Sequence, residues 1–260
     1  IEPVAAILSK KSGRPVKISL DRSEVLQCTG PTSGGIVKAK IGATNEGEFI
    51  AATCNVYLDA GAYPGSFIEN ACNTAYAPYD IPNLQLSGYD IVTNKPKTGA
   101  YRAPGTPNSA LAVETAVDEI SKKLKIDPVH LRLKNAADKG TRKADGTVYP
   151  EIGMVATANS VLEHRHYSES LPEPSNKSFK VGRGIAFGYS GNINGAATVI
   201  GNVVEDGTIT LITGAVDIGG TRISIAQQFA EVLGIDPTLI NPTIADTDSI
   251  GYTSASVGSS

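Results

Sequence analysis

The sequence predicts an α+β fold made of two related lobes, each a mixed sheet with helices packed on it. Runs with strand periodicity cluster ahead of runs with helix periodicity instead of alternating one by one, which disfavours a doubly wound parallel sheet. The order of strands, a glycine-containing loop with an arginine, and an amphipathic helix also occurs twice along the chain. Between the two occurrences, residues 168–178 hold two prolines and several polar side chains, the composition of a linker. The predicted division is therefore a first lobe over 1–167, a linker over 168–180 and the start of a second lobe over 181–260.

The elements follow in order. Residues 3–11 read as a helix closed by Gly13 and Pro15. Residues 16–20 alternate like a strand. Residues 36–43 and 49–58 form a predicted hairpin around Asn45, Glu46 and Gly47, and 84–92 is a further strand. A helix over about 108–124 carries Val113, Val117, Ile120 and Leu124 at helical spacing, so one face is buried. Asp127 caps a second, short helix through Asn135, with Pro128 at the favoured first position. A polar hairpin-like stretch over 142–149 leads to a helix over 152–163. In the second lobe, 184–190, 196–204 and 208–213 read as strands, with a tight turn at Glu205, Asp206 and Gly207. A glycine-rich loop at 217–222 then opens a helix to Leu233, and 242–245 is a short final strand.

Composition narrows the function. The chain has 260 residues, 41% hydrophobic and 19% charged, which describes a globular protein able to bury a full core. No apolar run reaches membrane-spanning length, and no signal segment opens the chain. A net charge of −3 with no long basic tract argues against a nucleic-acid partner. Cys28, Cys54 and Cys72 are widely spaced and odd in number, so buried thiols in a reducing, cytoplasmic setting are expected rather than disulfides or a zinc site. His130, His164 and His166 lack a metal-ligand pattern, and His164 with His166 reads as a solvated helix end.

Chemistry concentrates in loops. Residues 98–108 (TGAYRAPGTPN) place Arg102 among small residues ahead of a helix N-terminus, a setting that suits an anion or an extended polar cofactor. Arg102 is either a clamp for phosphate or a polar heterocycle, or a turn residue capping a neighbouring helix. Gly219, Gly220, Thr221 and Arg222 open a helix in the same way; a plain turn competes with an anion site there. Residues 253–260, rich in hydroxyls, are a polar cradle or a flexible end. Residues 30–35 are a loop facing a cavity or a plain turn. No catalytic triad, nucleophile elbow, Walker loop or GxGxxG assembles.

Five segments together resemble the molybdopterin-binding large subunit of the xanthine dehydrogenase and aldehyde oxidase family. They are 13–24 (GRPVKISLDRSE), 100–105 (AYRAPG), the helices over 114–135, 216–220 (VDIGG) and 253–260 (TSASVGSS), in family order over nearly the whole chain. The resemblance implies a molybdenum-cofactor-binding fold and oxidative hydroxylation of aldehydes or N-heterocycles, with water as the oxygen source. Electrons would pass to 2Fe-2S and FAD centres on partner subunits or domains of a hetero-oligomer, and the pterin would be in its cytosine dinucleotide form.

Residue by residue, the resemblance implies that Arg102 and Ala103 approach the molybdenum end of the cofactor. Gly219, Gly220 and Thr221 would line the pterin and its phosphates, and Ala255, Ser256, Gly258 and Ser259 would donate to it. Asn70, Pro104 and Tyr189 would face the substrate. Three positions depart from the family. Pro104 stands where purine-oxidising members have an aromatic residue, Asn70 where they have an arginine, and Gly220 where a glutamine is common, so purine specificity is not expected. The family's FGGK-type loop would precede Ile1, and its general-base glutamate would follow Ser260. The sequence thus reads as a fragment, inactive alone and truncated at both ends, with a non-catalytic scaffold as the alternative.

Overall fold

A computed structural model describes residues 1–176, 178–189, 191, 195–244, 246 and 248–256. The chain divides into two compact units, residues 1–190 and 191–260. The proline-bearing stretch 168–180 lies within the first of these ranges.

In the first unit, α1 (Glu2–Ser12) starts with proline in its first turn and ends at Gly13, whose left-handed φ of 64° closes it. Residues 16–20 do alternate in exposure, with Val16, Ile18 and Leu20 half-buried, but no strand pairs with them. The period of two there records one covered side, not a ladder. Asp21 then caps α2 (Arg22–Cys28): its carboxylate accepts from the Glu24 amide while the Glu24 carboxylate accepts from the Asp21 amide, each at 2.8 Å. This helix was not expected, although the D-x-x-E spacing announces it.

β1 (Gly35–Ala43) and β2 (Phe49–Gly61) form the expected antiparallel hairpin. The chain then crosses over through α3 (Ile68–Ala75), a second unexpected helix, and returns as β3 (Asn83–Val92), parallel to β2. Alternate residues of β2, Cys54, Val56 and Leu58, are fully buried in a core with Ala71, Ala75 and Tyr76 of the α3 region. That core is completed by Val113 and Val117 of α4 (Thr106–Leu124), the face that the helical spacing predicted, with Ile120 half-buried beside it. Asp127 caps α5 (Pro128–Lys134) as expected, accepting from the amides of Val129 and His130. α6 (Met154–Glu163) and the short α7 (Arg165–Ser168) follow.

A buried polar network ties α4 to α5. Glu114 accepts from the Tyr79 hydroxyl at 2.5 Å, from Arg132 Nε at 2.9 Å and from the Phe187 amide at 2.8 Å. Arg132 is 0% exposed and also donates to Asp118 at 2.8 Å. Burial, reinforced by the Glu114 carboxylate, raises the Tyr79 phenol well above its ordinary range, so it stays a donor. The network also explains why residues 184–189 form no strand: the Phe187 amide is spent on Glu114, and its ring lies 5.7 Å from the Arg132 guanidinium. Ser190, the last residue of that expected strand, lies outside the described residues.

In the second unit, β4 (Val199–Val203) pairs antiparallel with β5 (Ile209–Thr213), and β5 pairs parallel with β6 (Ile240–Ile244) after a crossover through α8 (Thr221–Leu233). Ala245, the last residue of the expected final strand, lies outside the described residues. The core is Ile209, Leu211, Ala226, Ala230 and Ile240, with the Phe229 ring filling the space that Gly201 leaves open. Both units therefore share a strand-strand-helix-strand order with one antiparallel and one parallel pairing. The lobes are related, but α8 corresponds by topology to α3. The sequence had matched it to α4, because only α4 also follows a loop with glycine and arginine.

Candidate functional site

The Arg102 loop leaves β3 at Val92 and runs to α4, fixed by backbone contacts on both sides of residues 100–102. Thr93 donates to the Gly61 carbonyl, and Ala62 to that of Lys95, both at 2.9 Å. Gly61, at φ 72°, lets the chain pass so close that a Cβ there would sit 2.1 Å from the Pro96 carbonyl oxygen. Further on, Thr98 donates to the Ala60 carbonyl and Gly99 to that of Pro31. Gly30 and Gly99 touch backbone to backbone, since a Cβ on Gly30 would lie 2.9 Å from the Gly99 Cα. Asn108 of α4 donates to the Ser33 carbonyl at 3.3 Å. The loop at 30–35 is thus one wall of the Arg102 loop.

At its far end the loop is held by α3. Asn70 Nδ2 donates to the Pro104 carbonyl at 2.5 Å and lies 3.3 Å from the Thr106 hydroxyl. Ala103 has φ 48° and Gly105 φ 83°, so the turn carries a positive-φ non-glycine residue and a positive-φ glycine on either side of Pro104. α4 begins at Gly105 with no side-chain cap, leaving its positive end open toward the loop.

The nearby charges are mostly spent. Asp59 accepts from Lys95, from the Thr93 hydroxyl and from the Gly61 amide, and these bonds, Lys95 first, hold its carboxyl down at about 2. Lys97 donates to the Gly65 carbonyl at 2.8 Å. Arg102 differs: it is exposed, and among the described residues its guanidinium has neither a hydrogen bond nor an ion pair. Two hydroxyls in the loop walls, Ser33 Oγ and Thr98 Oγ1, are buried with no partner among the described residues, each residue being 6% exposed.

The second unit assembles its own pair of loops. Asp217 Oδ1 accepts from the amides of Gly219 at 3.0 Å and Thr221 at 3.1 Å, folding the loop over the start of α8. These amide bonds, Gly219 first, hold the Asp217 carboxyl below its ordinary range. Gly219 and Gly220 have φ 116° and 89°, and a Cβ on either would meet nothing within 4 Å among the described residues, so within these the loop presents a bare backbone face. Ser256 Oγ accepts from the Val216 amide at 2.9 Å, and Gly214 lies against Thr253, which brings 253–256 beside 214–217. Ala255 sits within that seam. Gly258 and Ser259 lie outside the described residues.

Of the expected site residues, Arg102, Ala103, Pro104 and Asn70 come together in the first unit. Gly219, Gly220, Thr221, Ala255 and Ser256 lie in the two loops that meet in the second. Tyr189 does not join the first group: its ring lies 5.6 Å from that of Tyr149 and 5.9 Å from Lys143 Nζ. Asp217, which the sequence places beside the loop as a cap for a helix or turn, is the residue that organises it: an aspartate two residues before one glycine and four before the threonine spells that turn. Cys54 is buried as expected, whereas Cys72 is half-buried and Cys28 is exposed on α2; all three are free thiols. His164 caps α7 by accepting from the His166 amide, and borders an open groove of about 470 Å³ that no cofactor loop lines. Among the described residues no helix is long and apolar enough to cross a membrane, and no cluster of metal-ligating side chains forms.

A sequence profile of the molybdopterin cofactor-binding domain matches residues 1–136, and a second profile of the same description matches 160–260. The chain belongs to the molybdopterin cofactor-binding domain family. It is 31% identical to the xanthine dehydrogenase molybdenum-binding subunit of Escherichia coli O157:H7, over 90% of this chain and 33% of that protein. It is 28% identical to the aldehyde oxidoreductase of Megalodesulfovibrio gigas, over 99% of this chain and 30% of the relative. Among solved structures, quinoline 2-oxidoreductase from Pseudomonas putida 86 superposes with a TM-score of 0.77 at 21% identity, covering 99% of this chain and 36% of that one. Aldehyde oxidoreductase from Desulfovibrio gigas gives 0.74 at 25% identity, covering 99% and 30%. The molybdopterin-binding fold of this chain is thus that of the xanthine dehydrogenase and aldehyde oxidase molybdenum-binding subunits. The chain spans about a third of the length of the relatives it matches.

Proposed function

We propose that this chain holds a molybdenum–molybdopterin cofactor within the catalytic subunit of a hydroxylase acting on aldehydes or N-heterocycles. The observation that carries the reading is Arg102: an exposed guanidinium, unpaired among the described residues, ahead of the uncapped start of a 19-residue helix, on a loop whose backbone is pinned on both sides of it. The residues present suit the group. Among the described residues, Ser33 and Thr98 keep buried hydroxyls without partners beside the loop, and the bare backbone of Gly219 and Gly220 leaves room for a flat polar ring.

When bound, the molybdenum and its dithiolene supply the redox chemistry that inserts a water-derived oxygen at an electron-poor carbon. The protein binds and orients. Arg102 offers a planar fork of donors to the cofactor's polar edge, with Ala103 beside it letting the backbone approach. In the second unit, Gly219, Gly220 and Thr221 present the face that Asp217 holds in shape, and Ala255 and Ser256, with Gly258 and Ser259 beyond them, supply further polar contacts. Pro104 gives the substrate side a small apolar wall with no ring to stack on a purine, which favours aldehydes and simple N-heterocycles. Electron transfer to 2Fe-2S and FAD groups on partner subunits, the cytosine dinucleotide form of the pterin and a cytoplasmic setting complete the proposal by family likeness.

Substituting Arg102→Ala in the full-length subunit tests it. Arg102 makes no bond within the described residues, so the melting temperature should stay at the wild-type value while molybdenum per protein, read by elemental analysis, falls. Wild-type molybdenum content together with wild-type activity would remove Arg102 from the site.

A further inference from the structure

We propose that Asn70 is a positioning residue: its side-chain amide sets the direction of Arg102 by gripping the Pro104 carbonyl, instead of meeting the substrate. This rests on the cofactor reading above and gives Asn70 a role within that site. The geometry is specific. Asn70 sits in the first turn of α3, and its Nδ2 spends one hydrogen on the Pro104 carbonyl at 2.5 Å and directs the other at the Thr106 hydroxyl, 3.3 Å away. Both amide donors are thus used on the loop and the start of α4, and none is left for a substrate.

The loop needs such a grip. Ala103 is held at φ 48°, a conformation that L residues leave unless their surroundings over-determine it. Two contacts do so on either side of Pro104. Thr106 donates its amide back to the Ala103 carbonyl at 3.1 Å, and Asn70 holds the next carbonyl along. Gly105 makes the grip possible: with no Cβ, it lets the Phe67 carbonyl and Ala71 approach, which brings α3 within one side chain's reach of the loop. Arg102 lies two residues before the gripped carbonyl, so the bond fixes the base of the guanidinium arm. The neighbouring Thr74 hydroxyl, 2.7 Å from the Asn70 carbonyl and 3.2 Å from the Thr106 hydroxyl, supports the seam without touching Pro104.

The test is amide hydrogen exchange at Thr106 and Ser109, the first donors of the turn, in the wild type, Asn70→Asp and Thr74→Val. The introduced carboxylate has the asparagine's shape but cannot donate, so at pH 7 protection at both amides should fall about tenfold. It should recover as the introduced carboxyl protonates, near or above pH of about 4, and regains a hydrogen to donate. The wild type should show no such pH profile, and Thr74→Val should leave Thr106 protection close to wild type. Unchanged protection in folded Asn70→Asp, or an equal loss in Thr74→Val, would overturn the grip. If Asn70→Asp does not fold, the wild-type Asn70 side-chain amide decides: slowed exchange is expected, slowest for the proton on the Pro104 carbonyl, and two freely exchanging protons would refute the bond. In the full-length subunit, Asn70→Asp should also lower molybdenum content severalfold; a loosened loop with full molybdenum would make Asn70 a structural residue only. The exchange readouts need no cofactor. A confirmed grip beside an Arg102→Ala subunit with wild-type molybdenum and activity would therefore refute the cofactor reading alone.

Discussion

Gly105→Ala is the sharpest perturbation of the seam between α3 and the Arg102 loop. Two costs add at this position. An L residue forced to φ 83° pays about 1–2 kcal/mol for its Cβ against the following carbonyl. The added methyl would also sit 2.5 Å from the Phe67 carbonyl oxygen and 3.0 Å from both the Ala71 amide nitrogen and its Cβ. These are mainly backbone atoms at the start of a packed helix and cannot swing aside, so overpacking adds about 1–3 kcal/mol. The expected loss is about 2–5 kcal/mol. Gly146→Ala separates the two costs, because Gly146 has nearly the same φ, 85°, with nothing within 4 Å of its Cβ position. It should lose only the conformational part. The chain has no tryptophan and ten tyrosines, so urea unfolding is best followed by far-UV circular dichroism with tyrosine fluorescence. With a slope of about 2 kcal/mol per molar, Gly105→Ala should lower the midpoint by about 1–2.5 M. Equal losses in the two variants would refute the steric reasoning and with it the close approach of α3 to the loop.

Two further outcomes are expected. Glu114→Ala should destabilise the first unit by about 3–5 kcal/mol in urea titration, because it strips a fully buried arginine of one carboxylate partner; the paired Glu114→Leu and Arg132→Met variant should recover much of that loss. Asp59, held at about 2 when folded, contributes stability that is present above its unfolded value of about 4 and is lost as pH falls toward 2. Melting temperatures of Asp59→Asn should therefore change less between pH 4 and pH 2 than those of the wild type, and parallel curves would remove Asp59 from the acid limb.

Much of the fold is legible because local signals are strong where one face is buried. Val113 and Val117 at helical spacing, the hairpin around Gly47 and the cap at Asp127 each report a local choice that tertiary packing then reinforces. Failures came where a signal was short or was outbid. Residues 16–20 alternate because one side is covered, and periodicity alone does not reveal the missing partner strand. Residues 184–189 look like a strand until a carboxylate 73 positions earlier claims the Phe187 amide. α3 is eight residues with no side-chain cap, too little for local propensity to declare.

The same division runs through the site. Small residues around an arginine before a helix, and a Gly-Gly pair before another, are written in the sequence, and with them the family to which the chain belongs. Their partners are not. That Asn70 reaches Pro104, that the loop at 30–35 becomes a wall through Gly99, and that Ser256 meets Val216 depend on contacts spanning tens of residues. So does the placing of Tyr189 beside Tyr149 and Lys143. By itself the sequence determined which backbone shapes are permitted, since glycine, proline and capping side chains act on their nearest neighbours. Only the tertiary structure decided which polar groups remain unspent, because whether a donor is free depends on every acceptor that packing brings within 3 Å or so of it.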